Sequence, residues 1–434
     1  MALGADAGAG APSIHRVFMM SAQRRVGAHL LRGSDLMLPS VGGTESERAE
    51  ESPFCESPVR DLTDCASIGI IGAGSWGTAL AIHLGRKGFR VKLLSRDAER
   101  ARLIQRERVN RRFLPEVTLP DTVTVSCDPS SLADCHDAVV FAVPSQALRE
   151  AVRWAATGGF GAVRCDGVRP KASGDSNASG GSNVWGDSTV SGDSIPVVVS
   201  AAKGLEVSSL LRMSEVIVDE LGDRVKQRLA VISGPNFAKE VALGLPGATV
   251  AAAYSETSRR RVQDLFMSDC LRVYTNPDVI GVELGGALKN IYAIGVGIID
   301  GLGLGMNARA AFITRALAEL TRLGVACGAR ASTFSGLSGL GDLVLTCTGY
   351  LSRNRRCGLA LARGERLDEI IRESKEVIEG VPATNAAFTL AMRLDVEMPI
   401  LTEMYQVLFE GKNLREASKC LMTRLKKDEI VDMA

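Results

Sequence analysis

The chain has 434 residues, 46% of them hydrophobic and 5% aromatic, with 51 basic against 50 acidic side chains. At roughly 100–200 residues per domain this allows two to three domains, and a formal charge of +1 gives no whole-chain field for nucleic acid or an anionic membrane surface. No uninterrupted apolar run reaches the roughly 18 residues of a membrane helix, and the ten cysteines contain no C-x-x-C pair, which sets aside zinc knuckles and dithiol redox motifs and suits a reducing compartment such as the cytoplasm.

Residues 1–66 mix Gly, Ala, Ser and Arg without a steady period and read as a weakly ordered extension. Arg16, Arg24, Arg25 and Arg32 precede most of its acids, a faint transit-peptide signal; an unstructured extension, or a start at Met19 or Met20, accounts for the same residues. Ordered sequence begins at Ser67. Ile68–Ile71 predicts a strand, Thr78–Arg86 a helix and Phe89–Leu94 a second strand, with further strands at Ala138–Val143, Val197–Val199 and Leu229–Ser233. The alternation implies a parallel, doubly wound α/β sheet over residues 67–255.

Residues 158–194 interrupt it with Gly, Ser and Asp, and Gly-Asp-Ser recurs at Gly174, Gly186 and Gly192. Such a stretch buries too little surface to offset its ordering entropy, so it reads as a flexible insertion in one crossover, the alternative being a ligand loop. Beyond about residue 255 the strand signal fades. Val279–Ile299, Ala308–Cys327, Leu367–Ser374 and Ala383–Leu394 predict helices, making 256–434 an all-helical second domain.

Gly72-Ala73-Gly74-Ser75-Trp76-Gly77 is G-x-G-x-x-G between a predicted strand and a predicted helix, the context in which this motif binds a dinucleotide pyrophosphate. Gly72 permits the turn, Gly74 lets backbone approach phosphate, and Gly77 lets helix pack on strand. The second strand ends in Ser95-Arg96-Asp97. Asp97 stands at the offset of an acid that holds the ribose 2′-OH of NAD, while Arg96 suits the 2′-phosphate of NADP. The preference between NAD and NADP stays open.

Lys289 sits inside a predicted helix among Gly285, Gly286, Ala287, Leu288 and Ile291. A lysine held in such a dry, small-residue site has its pKa lowered and can exchange a proton near neutrality. All four histidines lie in the first third of the chain, so none serves as acid or base in the second domain. Two more polar patches among small residues surround Lys203 (Ser200–Glu206) and Asn236 (Ser233–Glu240).

Taken with the runs Ser335–Thr348, Ser352–Arg356, Val377–Gly380 and Glu397–Asn413, these patches closely resemble the NAD(P)-dependent glycerol-3-phosphate dehydrogenase family in its bacterial form, from about Ile68 to Asp428. The resemblance implies an N-terminal Rossmann-like sheet, a C-terminal helical substrate domain, NAD or NADP as cofactor, and a homodimer without nucleic-acid partner or membrane insertion. It implies reversible reduction of dihydroxyacetone phosphate to sn-glycerol 3-phosphate, feeding glycerophospholipid synthesis. Position by position, it makes Lys289 the proton donor, Lys203 a second lysine between cofactor and substrate, and Asp342 the residue holding Lys289. Gly234, Asn236 and Asn290 would line the substrate pocket, and Thr346 is a further candidate. Ser352, Arg353 and Asn354 would clasp the phosphate, and Ser75, Trp76, Arg96, Ala238, Arg353, Val377 and Glu379 would touch the cofactor. The rivals are a hydroxyacid or phosphogluconate dehydrogenase of the same plan, and a catalytically dead nucleotide sensor, which needs the glycine turn but not the lysines.

Overall fold

The computed structural model describes residues 66–159, 196–374, 376–426 and 428–429. These belong to one compact unit. The N-terminal extension up to residue 65 and the insertion from residue 160 on lie outside the described residues.

β1 (Ser67–Ile71) leads through the glycine turn into α1 (Ser75–Arg86), and β2 (Arg90–Leu94) into α2 (Ala98–Glu107). A small antiparallel pair, β3 (Val109–Asn110) and β4 (Leu114–Thr118), precedes β5 (Val123–Ser126). Then come β6 (Ala138–Phe141), α3 (Leu148–Thr157), β7 (Val197–Ser200), α4 (Met213–Leu221), β8 (Leu229–Ser233), the short α5 (Ala238–Ala242), β9 (Gly247–Ala253), α6 (Glu256–Phe266) and β10 (Leu271–Asn276).

Eight strands form one sheet in the order β10-β9-β8-β7-β6-β1-β2-β5. Pairing is parallel except between β8 and β9, where Ala230 faces Ala253 in an antiparallel register. β1, β6, β7 and β8 are buried along their whole length, because helices cover both faces of the sheet. Ile68 and Ile70 pack with α1, α5 and α6, and Ile71 packs with α3 and α4 on the other side.

The sheet therefore runs to Asn276, past the expected change to helix at residue 255. β10 is an edge strand: Arg272 and Tyr274 alternate outward between buried Leu271 and Val273. Its half-polar pattern carries less strand signal than the continuous apolar runs of the centre.

The helical part comprises α7 (Val279–Gly301), α8 (Gly305–Ala326), α9 (Ala331–Phe334), a π-helical turn at Leu337–Gly341, α10 (Asp342–Thr348), α11 (Arg353–Ala362), α12 (Leu367–Glu373), α13 (Gly380–Arg393), α14 (Pro399–Phe409) and α15 (Leu414–Met422). α8, α10, α11 and α13 pack around α7. By length and composition α7 is long and apolar enough to cross a membrane, but its most apolar stretch is wholly buried inside this protein, as a core helix hydrophobic on all sides is. Its glycines are contact points. A Cβ on Gly297 would stand 2.1 Å from the Arg355 carbonyl oxygen, and one on Gly358 2.0 Å from that of Ile294. The backbones of α7 and α11 touch, which fixes where α11 begins.

Candidate active site

At the C-terminal end of β1 the chain turns with Gly72 at φ +113°, a backbone state that strains any side chain. A Cβ on Gly77 would lie 1.9 Å from the Gly72 carbonyl oxygen, whereas one on Gly74 would meet nothing within 4 Å. Gly77 thus seats α1 against the turn, and Gly74 opens onto a cleft of about 730 Å³. Gly74 caps α1 without a side-chain hydrogen bond, so the first N–H groups of this helix are free to receive an anion. The buried Trp76 Nε1 has no hydrogen-bond partner. Open backbone and an orphaned donor at one helix start fit a phosphate-bearing dinucleotide.

Every candidate residue named above lines this cleft except Gly77 and Gly234, which stand behind its wall. Asp97 at its rim does not reach out as a free acid: its carboxylate caps α2, accepting from the Arg100 N–H at 3.0 Å and pairing with the Arg100 guanidinium at 3.2 Å. That backbone bond holds its carboxyl below the ordinary carboxylate range. Arg96 pairs with Glu150 at 3.0 Å on the surface.

The chemical centre is a buried carboxylate shared by two ammonium groups. Asp342, fully buried at the start of α10, accepts from Lys289 on Oδ1 and from Lys203 on Oδ2, the latter at 2.6 Å. Lys289 also donates to Thr346 Oγ1 at 2.8 Å, and Lys203 to the Gly234 carbonyl at 3.0 Å. Desolvation lowers the Lys289 pKa to about 8, with the Lys203 charge adding to it and Asp342 opposing. A cation that can release its proton near neutrality thus faces the cleft.

One side of the centre is the start of α11. Ser352 caps it, its Oγ accepting from the Arg355 N–H. Asn354 is committed within the protein: its Nδ2 donates to Asn290 Oδ1 at 2.8 Å and its Oδ1 accepts from the Gly380 N–H at 2.9 Å. Arg355 is tied to Asp300 on α7 at 2.6 Å, which Arg309 on α8 also holds. Arg353 and Arg356 line the cleft. Asn236 lines the cleft and donates to the Ala248 carbonyl at 2.9 Å.

Two residues that sequence reasoning did not single out bear on the site, Glu376 in the cleft wall and Ser145 through Glu379. Glu376 accepts from Ser75 Oγ at 2.6 Å and pairs with Arg353 at 3.4 Å, so a carboxylate bridges the glycine turn and the α11 start. It neighbours the Val377–Gly380 match, which was the available signal. Ser145, in the turn after β6, donates from its N–H and Oγ to Glu379 at 3.1 and 2.6 Å; burial pushes the Glu379 carboxyl above its ordinary range. Its position beyond a sheet strand's C-terminal end is where ligand contacts gather in such folds.

A dinucleotide-type glycine turn opening onto a cleft with a buried lysine of lowered pKa defines a nicotinamide-dependent oxidoreductase of two-part build. Comparison with known proteins narrows the class. Residues 67–158 and 188–259 match the family model described as the N-terminus of NAD-dependent glycerol-3-phosphate dehydrogenase, and residues 278–419 match its C-terminus. A protein of Citrifermentans bemidjiense named glycerol-3-phosphate dehydrogenase (NAD(P)+) is 46% identical over 362 residues, 83% of this chain and 98% of its own. One of Moorella thermoacetica with the same name is 44% identical over 364 residues, 84% of this chain and 98% of its own. The crystal structure of glycerol-3-phosphate dehydrogenase from Coxiella burnetii, 37% identical, superposes with a TM-score of 0.70 over 83% of this chain and 99% of its own. The chain belongs to the NAD-dependent glycerol-3-phosphate dehydrogenase family.

Proposed function

We propose that the protein reduces dihydroxyacetone phosphate to sn-glycerol 3-phosphate with NADH or NADPH, and runs the reverse reaction. The observation that carries this reading is the Lys289–Asp342–Lys203 cluster, placed in one cleft with both the glycine turn and Arg353. The turn and the α1 start hold the dinucleotide phosphates, and Ser75, Trp76, Arg96, Ala238, Val377 and Glu379 complete its cradle. A bound reduced nicotinamide supplies the hydride that adds at C2 of the ketone. Lys289 Nζ donates its proton to the oxygen at C2 and takes it back in the reverse direction. Lys203 adds fixed positive charge beside that oxygen, where a water-poor setting makes it count. Ser352, Arg353, Asn354 and the α11 start bind the substrate phosphate, with Asn290 lining the pocket beside them and bracing Asn354. Asn236 shapes the pocket, the Gly234 carbonyl anchors the Lys203 ammonium, and Thr346 orients that of Lys289. The sheet part carries the cofactor and the helical part most of the catalytic groups. A cytoplasmic homodimer belongs to the same reading.

The direct test is oxidation of NADH and of NADPH with dihydroxyacetone phosphate, against unphosphorylated dihydroxyacetone and a 2-keto acid. Turnover is expected with the phosphate alone, and the two cofactor KM values decide between Arg96 and Asp97 as the controlling group. Turnover of the keto acid instead would favour the hydroxyacid reading.

Arg353→Ala removes one charged hydrogen bond to the phosphate, a loss of about 1.5–3 kcal/mol. The KM for dihydroxyacetone phosphate is expected to rise roughly 10- to 150-fold, with the KM for the nicotinamide changing far less. An unaltered substrate KM would place the phosphate elsewhere.

The family match passes over residues 159–187. Replacing 173–194, a segment rich in Gly, Ser and Asp that lies mostly within that gap and extends into the matched residues from 188 on, by a short Gly-Ser linker is expected to leave the thermal midpoint and kcat/KM nearly unchanged, since loop-closure cost varies slowly with length. Loss of catalysis at an unchanged midpoint would make the insertion part of the site.

A further inference from the structure

The two lysines reach Asp342 from separate places: Lys203 from the loop after β7, Lys289 from the middle of α7. The loop after Lys203 folds back on itself. Leu205 bridges to Arg212, the Glu206 N–H donates to the Leu211 carbonyl at 2.9 Å, and Leu210 takes a φ of +64°. That reversal turns the Arg212 side chain inward, where it pairs with Glu283 on α7. The same carboxylate accepts from the Ser214 N–H at 2.8 Å and Ser214 Oγ at 2.6 Å. Both partners are buried, Arg212 at 9% and Glu283 at 5% exposure, and neither lines the cleft.

The helix geometry says what this pair does. Glu283, Gly286 and Asn290 follow one another at i, i+3 and i+7 and share a face of α7. A Cβ on Gly286 would stand 3.4 Å from Lys203 Cδ and 2.5 Å from Ser233 Oγ, so this face lies against the Lys203 stem. Gly285 and Lys289, at i and i+4, form the neighbouring stripe, and a Cβ on Gly285 would stand 2.4 Å from the Ser338 carbonyl oxygen, just ahead of Asp342. One face of α7 thus sets Lys203 and the next sets Lys289.

We propose that the buried Arg212–Glu283 pair, with Ser214, is a positioning device for catalysis: it docks the Lys203 loop on the Lys289 helix and so sets the spacing of the two ammonium groups on Asp342. Glu283 and Arg212 are positioning residues, since they touch neither ligand. The inference rests on the reaction assigned above, but one arm of its test needs no substrate.

The variant Glu283→Gln weakens the pair while keeping the shape of the side chain. Amide hydrogen exchange of the free protein is expected to quicken over residues 203–212. The groups that act on Lys289 are Asp342, Lys203 and Cys347. When Lys203 withdraws, Lys289 loses a neighbouring cation and keeps the carboxylate, so its pKa rises from about 8. The alkaline limb of ketone reduction then moves to higher pH, and kcat per folded site falls tenfold or more while the KM for NADPH holds. A purely architectural pair would lower the thermal midpoint but leave the limb and kcat per folded site untouched. Should Glu283→Gln not fold, Ser214→Ala keeps both charges and is expected to shift exchange and limb in the same directions by less. Unchanged exchange over 203–212, or an unmoved limb with wild-type kcat, overturns the proposal. If the wild type does not turn over dihydroxyacetone phosphate, the substrate assignment fails, while the exchange measurement still judges the docking.

Discussion

Lys289→Ala is expected to lower kcat for dihydroxyacetone phosphate reduction by roughly 10²- to 10⁴-fold, the range of a lost general acid. No other described lysine shares its position: Lys203 approaches Asp342 from the far oxygen and is anchored on the Gly234 carbonyl. Binding of NADH, followed by fluorescence, is expected to survive, because the glycine turn and the α1 start have no hydrogen bond to Lys289. The wild-type pH profile checks the same assignment. With Lys289 as the proposed proton donor, reduction is expected to hold below about pH 8 and to fall above it, and oxidation of glycerol 3-phosphate to rise over the same range. Retention of more than a tenth of kcat in the variant would remove Lys289 from the proton-transfer role.

Asp342→Asn should act through that proton. The carboxylate opposes desolvation at Lys289, so an amide in its place lets the Lys289 pKa fall below about 8. At neutral pH a larger share of the lysine is then uncharged and unable to donate. The reduction limb is expected to move to lower pH, opposite to the movement expected from loosening the Lys203 loop. Buried Lys289 and half-buried Lys203 also lose their shared counter-ion, and breaking a buried ion pair costs about 3–5 kcal/mol. A clear drop in thermal midpoint should therefore accompany a loss of kcat of at least about 10²-fold at pH 7. A variant with normal stability and an unmoved limb would mean that Asp342 does not govern Lys289.

The sheet centre was legible because β1, β6, β7 and β8 are covered on both faces and must be apolar throughout. β10 was missed because an edge strand alternates, and its polar half hides the pattern. α7 announced a special lysine through its small neighbours, since glycines next to a charge in a helix make sense where other backbones crowd in. Asp97 shows the opposite case. Its offset from the glycine turn suits a ribose contact, its carboxylate also caps α2, and the sequence signals the first use and not the second. Asn354 lines the cleft, and its side chain also spans Asn290 and Gly380, a link that no local pattern states.

By itself, the sequence determined the alternation of strands and helices, the glycine turn and the residue types able to move a proton, because these depend on local periodicity, backbone sterics and intrinsic chemistry. Tertiary structure alone decided which charges meet. Arg212 and Glu283 lie 71 residues apart and Lys203 and Asp342 139 apart, and the pKa of Lys289 depends on how much water the packed fold removes. Burial and pairing are properties of the whole fold, where desolvation and Coulomb attraction are large and opposed, and no local pattern states their balance.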